Sequence, residues 1–383
     1  MRCEFGNPDP GTAGTAEELT MSDKIRIGLA GCSRGTGIVK MFNAHPEAEV
    51  TALCDPDESA TAKLAEPFGL AADRVFADYG EFLAGAPMDA VIVATPIEMH
   101  ADQSVQALEA GKHVLCEQTM AYSAEDCGRV IDAVKKTGLV YMMAENYCYF
   151  HFIRQMREIV SAGRIGEIYY AEGEYIHEII NLLQDPETGE FFWRHQRPPI
   201  WYCAHSLGPI LLMMQDRIVE ACGLTSGFKR KPEFKDHLGY LDFEIGLFKT
   251  EKGSVVKLLR SQTAARPHMH WYCLYGTKGH LESGRFDKLK LDGMHYFEGM
   301  DYKDPAQLVE CPNSDPDLPK EASEGGHGTS EYFMIRDFLE AVQKNERPII
   351  DAIRASEWTI PGLVAHESAM QGGKWMKVPT FDW

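Results

Sequence analysis

The chain is poor in positive charge and has no long apolar run. It carries 38 Lys and Arg against 57 Asp and Glu, a formal net charge of −19 over 383 residues. Such a field repels nucleic acid and anionic membrane surfaces unless a local basic patch overrides it. The short run Lys229-Arg230-Lys231 reads as a solvated turn rather than such a patch. No segment approaches the roughly 18 apolar residues a membrane-crossing helix needs. The ten cysteines form no C-x-x-C pair, and Cys54 and Cys116 fall inside apolar runs where a thiol acts as a small hydrophobe. A reducing, cytoplasmic setting is therefore expected. The first residues also lack the apolar core of a signal peptide. Residues 1–22, rich in Gly, Pro, Thr and Glu, are expected to be a disordered leader, with Met21 as a second possible start.

What is present is a two-part organisation, since 383 residues exceed one ordinary core. Buried-strand runs at Ile25–Gly31, Val50–Asp55, Ala90–Thr95 and His113–Glu117 alternate with amphipathic stretches near 58–68, 98–110 and 123–137. This rhythm predicts an α/β fold whose parallel sheet is covered on both faces, over residues 23–148. Ligands of such sheets bind at the carboxyl ends of the strands, where Gly31, Asp55, Thr95 and Glu117 fall. The glycine turn Gly31-Cys32-Ser33-Arg34-Gly35 is not a clean G-x-G-x-x-G, because Ser33 holds the second glycine position. Its place, ending the first strand and opening a helix, still marks a pyrophosphate site, and Asp55 follows 24 residues later. An aspartate there accepts from ribose hydroxyls and repels a 2′-phosphate, so NAD is expected over NADP.

Residues 149–383 change character. A helix is predicted over Phe152–Ala162, an alternating strand over Glu167–His177, and strands near 217–224, 240–249, 253–262 and 270–276. These predict an α+β domain with an open, mostly antiparallel sheet. Helices near 329–343 and 352–371 close the chain, the former after the Gly325-Gly326-His327-Gly328 turn. Polar residues cluster in this half. Tyr175 and His177 are two apart on a strand and project to one face; Tyr202 and His205, three apart around a helix start, share another.

The order of several short pieces resembles the Gfo/Idh/MocA oxidoreductases, and within them the NAD-dependent family 109 glycoside hydrolases, the α-N-acetylgalactosaminidase branch. The pieces are Thr95-Pro96 with His100, Cys116-Glu117-Gln118-Thr119, Glu145-Asn146-Tyr147, Tyr175-Ile176-His177, Trp193-Arg194, Tyr202 with His205-Ser206-Leu207-Gly208-Pro209, and Gly326-His327-Gly328. They span nearly everything from Lys24 onward. The resemblance implies cofactor contacts from Gly31, Ser33, Arg34, Gly35, Asp55, Thr95, Pro96, His100, Glu117, Gln118 and Asn146. Two losses are shared with the glycosidase branch. Gln118 stands where dehydrogenases of the superfamily carry a proton-transfer lysine, and Trp201 stands where they carry an aspartate. Glutamine has no titratable proton near neutral pH.

The implied chemistry is redox-assisted elimination. Oxidation at C3 of a sugar acidifies the C2 proton, the aglycone leaves from C1, water adds, and the stored hydride returns, so NAD is recycled. On this reading His205 serves the C3 hydroxyl, while Tyr202 or Tyr175, with His177, handles the C2 proton. A tyrosine base needs a nearby cation, for which Arg194 is the candidate; Arg194, Glu145, His268 and His327 are the expected substrate contacts. His268 stands where the galactosaminidases bind substrate with a tyrosine, which weakens the inference to N-acetylgalactosamine. His177, Glu178, His205, His268 and His270 show no zinc-motif spacing, so no metal is expected. The expected partner is a small glycoside, and the family implies a homodimer or homotetramer. A net sugar 3-dehydrogenase and a noncatalytic NAD-binding sensor are the alternatives; the polar cluster argues against the sensor.

Overall fold

The computed structural model describes residues 24–265, 268–285, 291–301, 303, 307–309, 315 and 318–383, with backbone alone at 291–296 and 307–309. The expected leader at 1–22 lies outside the described residues. Six strands of the first half, β1 (Ile25–Ala30), β2 (Ala48–Cys54), β3 (Val75–Phe76), β4 (Ala90–Val93), β5 (His113–Glu117) and β6 (Tyr141–Ala144), form one sheet. Every pairing is parallel, in the order β3-β2-β1-β4-β5-β6. Strands β4 and β6 are buried along their whole length, as a sheet covered on both faces requires. The connecting helices are α1 (Cys32–Met41), α2 (Glu58–Ala65), α3 (Tyr79–Gly85), α4 (His100–Glu109) and α5 (Ala124–Thr137).

Local sequence explains the elements. In α5, Ser123 caps the N-terminus by accepting from the Asp126 N–H, and Gly138 ends the helix at φ 69°. Cys127, Val130, Ile131 and Val134 recur at helical spacing and form its buried stripe. Strand order reverses between β1 and β4, which opens a crevice above their carboxyl ends.

The second half contributes α6 (His151–Ser161), β7 (Ile168–Ile176), α7 (Ala204–Met214), β8 (Ile218–Thr225), β9 (Glu244–Thr250), β10 (Val255–Ser261) and β11 (Met269–Gly276). It continues through β12 (Gly279–Glu282), β13 (Leu291–Phe297), β14 (Gln307–Val309), α8 (Ser330–Lys344), α9 (Ala352–Met370) and β15 (Met376–Lys377). Its nine strands run β14-β13-β12-β11-β7-β10-β9-β8-β15. All pairs are antiparallel except β7 with β10.

Small residues let helices close on this sheet. A Cβ on Gly173 of β7 would lie 3.1 Å from Ser206 and Ile210 of α7, and one on Gly223 of β8 would lie 1.8 Å from the Ala365 carbonyl oxygen of α9. Helix α9 also reaches the first sheet: the Met120 N–H donates to Thr359 Oγ1 at 3.4 Å. The two sheets thus share one continuous core. No helix among the described residues is long and apolar enough to cross a membrane.

Candidate active site

Above the carboxyl ends of β1, β2 and β4 lies a cavity of about 560 Å³. Gly31, Ser33, Arg34, Asp55, Thr95 and Pro96 line it, and Trp193 and Arg194 of the second half form its opposite wall. Gly31 has φ 92°, and a Cβ there would lie 2.5 Å from the backbone carbonyl of Ala94. Only glycine permits this approach between the first and fourth strands. Asp55 accepts from the N–H groups of Cys32 (2.8 Å) and Asp57 (2.9 Å), which orients its carboxylate at the cavity wall with lone pairs to spare. The donors, the glycine cradle and the acid fit a dinucleotide. So does the buried Asn146 Oδ1, which has no hydrogen-bond partner among the described residues.

Not every expected cofactor residue touches this space. Gly35 packs on β1 instead: a Cβ there would lie 2.4 Å from Leu29, so its role is close helix-to-strand contact. His100 is buried, with Nδ1 2.8 Å from the Thr119 carbonyl and Nε2 2.9 Å from the Thr95 carbonyl. Carbonyls only accept, so both nitrogens carry protons. Burial opposes the charge, but Cys116 and the two carbonyls raise the pKa to about 9. His100 therefore staples two site loops together rather than contacting cofactor. Glu117 pairs with Arg34 at 2.8 Å, which fixes the arginine at the cavity edge.

His205 stands on the first turn of α7, after the short helical turn Pro199–Tyr202. His205 Nδ1–H donates to Glu145 Oε1 at 2.6 Å, and the Tyr147 N–H donates to the same carboxylate oxygen at 3.1 Å. On its other side, the Gln118 amide nitrogen lies 3.2 Å from His205 Nε2. An amide N–H donates, so Nε2 accepts it through its lone pair, and the proton sits on Nδ1. Burial, then the neighbouring His327 and Arg260, holds His205 well below the ordinary imidazole value. Burial likewise holds Glu145 well above the ordinary carboxylate value. Glu145, expected to touch substrate, pairs with His205 through Oε1, and its buried Oε2 has no partner among the described residues.

Three tyrosine rings surround His205, with centroids at 3.9 Å (Tyr147), 5.0 Å (Tyr202) and 5.3 Å (Tyr175). Strand register builds the floor. Tyr175 of β7 lies directly between His270 of β11 and Arg260 of β10. The Arg260 guanidinium covers the Tyr175 ring at 3.9 Å and donates to the carbonyls of Tyr175 (3.0 Å) and Ser261 (2.6 Å). The cation on Tyr175 is thus Arg260, whereas Arg194 stacks on Trp193 at 4.2 Å along the dinucleotide cavity. Burial raises the Tyr175 phenol despite Arg260. Its hydroxyl lies 2.8 Å from His177 Nδ1, a bond the protonated phenol donates. The His268 ring lies tilted against His177 at 4.0 Å, and its Nε2 lies 3.1 Å from His270.

On the roof, His327 contacts Glu331, which also accepts from Asn146 Nδ2 at 3.3 Å. Burial would raise Glu331, but His327 and the surrounding donors hold it below its ordinary value. His327 is flanked by Gly326 at φ 98° and Gly328 at φ 66°. The structure therefore brings Tyr175, His177, Tyr202, His205, His268 and His327 into one cluster. Residues the sequence reading missed are Arg260, Glu331, Arg197 and the ring of Tyr147. Arg260 had a signal, a charged residue inside the apolar run Val255–Ser261. Arg197, 4.1 Å over the Tyr202 ring, had none.

The family described as "Oxidoreductase family, NAD-binding Rossmann fold" matches residues 25–145, and "Glycosyl hydrolase 109, C-terminal domain" matches residues 226–383. A glycosyl hydrolase family 109 protein of Shewanella pealeana is 26% identical over 94% of this chain and 86% of its own length. One of Streptomyces filamentosus is 28% identical over 93% and 77%. Among solved structures, levoglucosan dehydrogenase in complex with NADH and L-sorbose superposes with a TM-score of 0.79 at 20% identity, covering 94% of this chain and 100% of that one. An oxidoreductase domain protein from Kribbella flavida gives 0.77 at 22%, covering 93% and 99%. At these identities the two structures share the fold with this chain.

Proposed function

From a chain that joins a Gfo/Idh/MocA NAD-binding Rossmann domain to a glycosyl hydrolase 109 C-terminal domain, we propose an NAD-dependent glycosidase that cleaves by transient C3 oxidation and C1–C2 elimination. Gly31, Ser33, Arg34, Asp55, Thr95 and Arg194 would hold the dinucleotide, and the unpartnered Asn146 Oδ1 would be available to its amide. The bound nicotinamide supplies a hydride acceptor and donor at C3.

The chain's own residues move the protons. His205 Nε2 exchanges the Gln118 amide for the C3 hydroxyl as the sugar binds and takes its proton, and Glu145 stabilises the imidazolium so formed. Tyr175 takes the C2 proton while its own proton passes to His177 Nδ1 along the 2.8 Å contact. The C2–H electron pair forms the C1–C2 double bond, and the C1–O bond breaks with the aglycone. Tyr202, His268 and His327 donate to sugar oxygens, where negative charge develops as C2 loses its proton.

One observation carries this reading over net oxidation. Oxidising an alcohol needs a single proton acceptor, which the His205–Glu145 pair supplies; the Tyr175–His177 pair is a second one beside it. Elimination needs that second acceptor. Incubation with substoichiometric NAD⁺ and a panel of glycosides in D₂O tests the proposal. Free sugar deuterated at C2 without net NADH supports it. Stoichiometric NADH with the glycosidic bond intact would make the enzyme a sugar dehydrogenase, and no turnover on any glycoside would favour a sensor.

A further inference from the structure

The face of the nine-stranded sheet opposite the candidate active site carries a separate group of ligand-type side chains. Residues alternate across a strand, so Tyr272 and His270 of β11 point inward, and Trp271, Cys273 and Tyr275 point outward. On β12, His280 and Glu282 share the outward face, and Cys273 pairs directly with Glu282 in the antiparallel register. Cys273 Sγ lies 3.2 Å from His280 Nε2, which lies 3.9 Å from Glu282 Oε2, and all three ligand atoms fall within 4.8 Å of one another.

We propose that Cys273, His280 and Glu282 form a zinc site on this outer face. A sulfur, an imidazole nitrogen and a carboxylate oxygen are the donor types zinc takes, at about 2.3, 2.0 and 2.1 Å. Ligands at such distances from a tetrahedral centre stand roughly 3.3–3.7 Å apart, so the Cys273–His280 pair would open slightly and Glu282 would swing in toward both. Softness also selects: a thiolate beside an imidazole disfavours magnesium and calcium. The scaffold is rigid, since all three ligands come from one hairpin whose register is fixed by neighbouring strands. The Tyr275 ring lies 4.5 Å from the His280 ring and limits its rotation. Glu172, opposite Cys273 on β7, already holds Tyr170 and Lys257, which leaves the fourth position to water.

The Cys273 thiol gives up its proton to bulk solvent when the S–Zn bond forms.

The test uses the full chain, stripped with chelator and titrated with Co²⁺ as a spectroscopic stand-in for zinc. One equivalent should bind, with sulfur-to-cobalt charge-transfer absorption in the near ultraviolet, and zinc should displace it. Cys273→Ser should abolish that band. His280→Ala and Glu282→Gln should weaken binding by more than the ~10- to 100-fold that loss of an outer-shell partner costs. NAD⁺ binding in each variant reports that the fold is intact, and Glu282→Gln keeps the test valid if a thiol variant misfolds. No sulfur-based absorption in the wild type, or binding retained by Cys273→Ser but lost by His268→Ala, would overturn the proposal.

Discussion

His205 Nδ1 stands 2.6 Å from Glu145 Oε1, although 60 residues separate them in sequence. Burial shifts the two groups in opposite directions, so the pair holds its proton as a unit. Glu145→Gln preserves an acceptor for Nδ1–H but removes the charge that stabilises the imidazolium. It should lower kcat by about 10²–10⁴-fold, with NAD⁺ affinity unchanged by fluorescence titration. In the wild type, kcat/KM should be high where Glu145 is ionised and fall as pH drops through its raised pKa. That acid limb should lie above the ordinary carboxylate value of 4.5.

Tyr175 and His177 separate two steps that His205 alone does not. His177→Ala removes the acceptor for the phenol proton while leaving the His205–Glu145 pair in place. Solvent deuterium exchange at C2 should slow by about 10²-fold or more, while a single turnover still reduces NAD⁺ at close to the wild-type rate. Equal loss of both steps would assign His177 to binding instead.

Periodicity made the elements legible, and pairing made the site. The strands and helices of the first half follow from patterns within ten or so residues, and so does the parallel sheet. Strand β3, helix α3 and strand β6 were given no range, because two, seven and four residues carry too little period. The glycine at 31 and the acid at 55 were readable because one backbone approach and one hydrogen-bonding role dictate them. The contacts around His205 were not. Gln118 reaches it across 87 residues, and Asn146 meets Glu331 across 185. Glu145 therefore reads as a ligand from sequence, and its pairing with His205 is seen only in space. Arg260 belongs to the same class, since its partner Tyr175 comes from a strand whose parallel pairing no local pattern announces.

The Gly31 turn offers a test of the cofactor site alone. Gly31→Ala adds a methyl 2.5 Å from the Ala94 carbonyl at a φ of 92° that alanine rarely adopts. Relief requires β1 and β4 to part at the crevice. Stability should fall by about 1–3 kcal/mol in urea denaturation. NAD⁺ affinity should fall in parallel, and the zinc-site absorption should be unaffected.

His100 makes stability itself depend on pH. Its imidazole has an unfolded value near 6.5 and a folded value raised to about 9. A raised pKa means the folded state binds the proton more tightly. The stabilisation is fully present below 6.5 and is lost as pH rises through 9. Full burial leaves little solvent screening, so the span is on the order of 3 kcal/mol. His100→Gln has one acceptor and one donor group where two donors are needed, so it cannot satisfy both the Thr95 and Thr119 carbonyls in the same way. Urea denaturation at pH 6 and pH 9 should show a larger fall for the wild type than for the variant. An equal fall in both proteins would mean that His100 is neutral in the fold, and that the two loops it joins are held by other contacts.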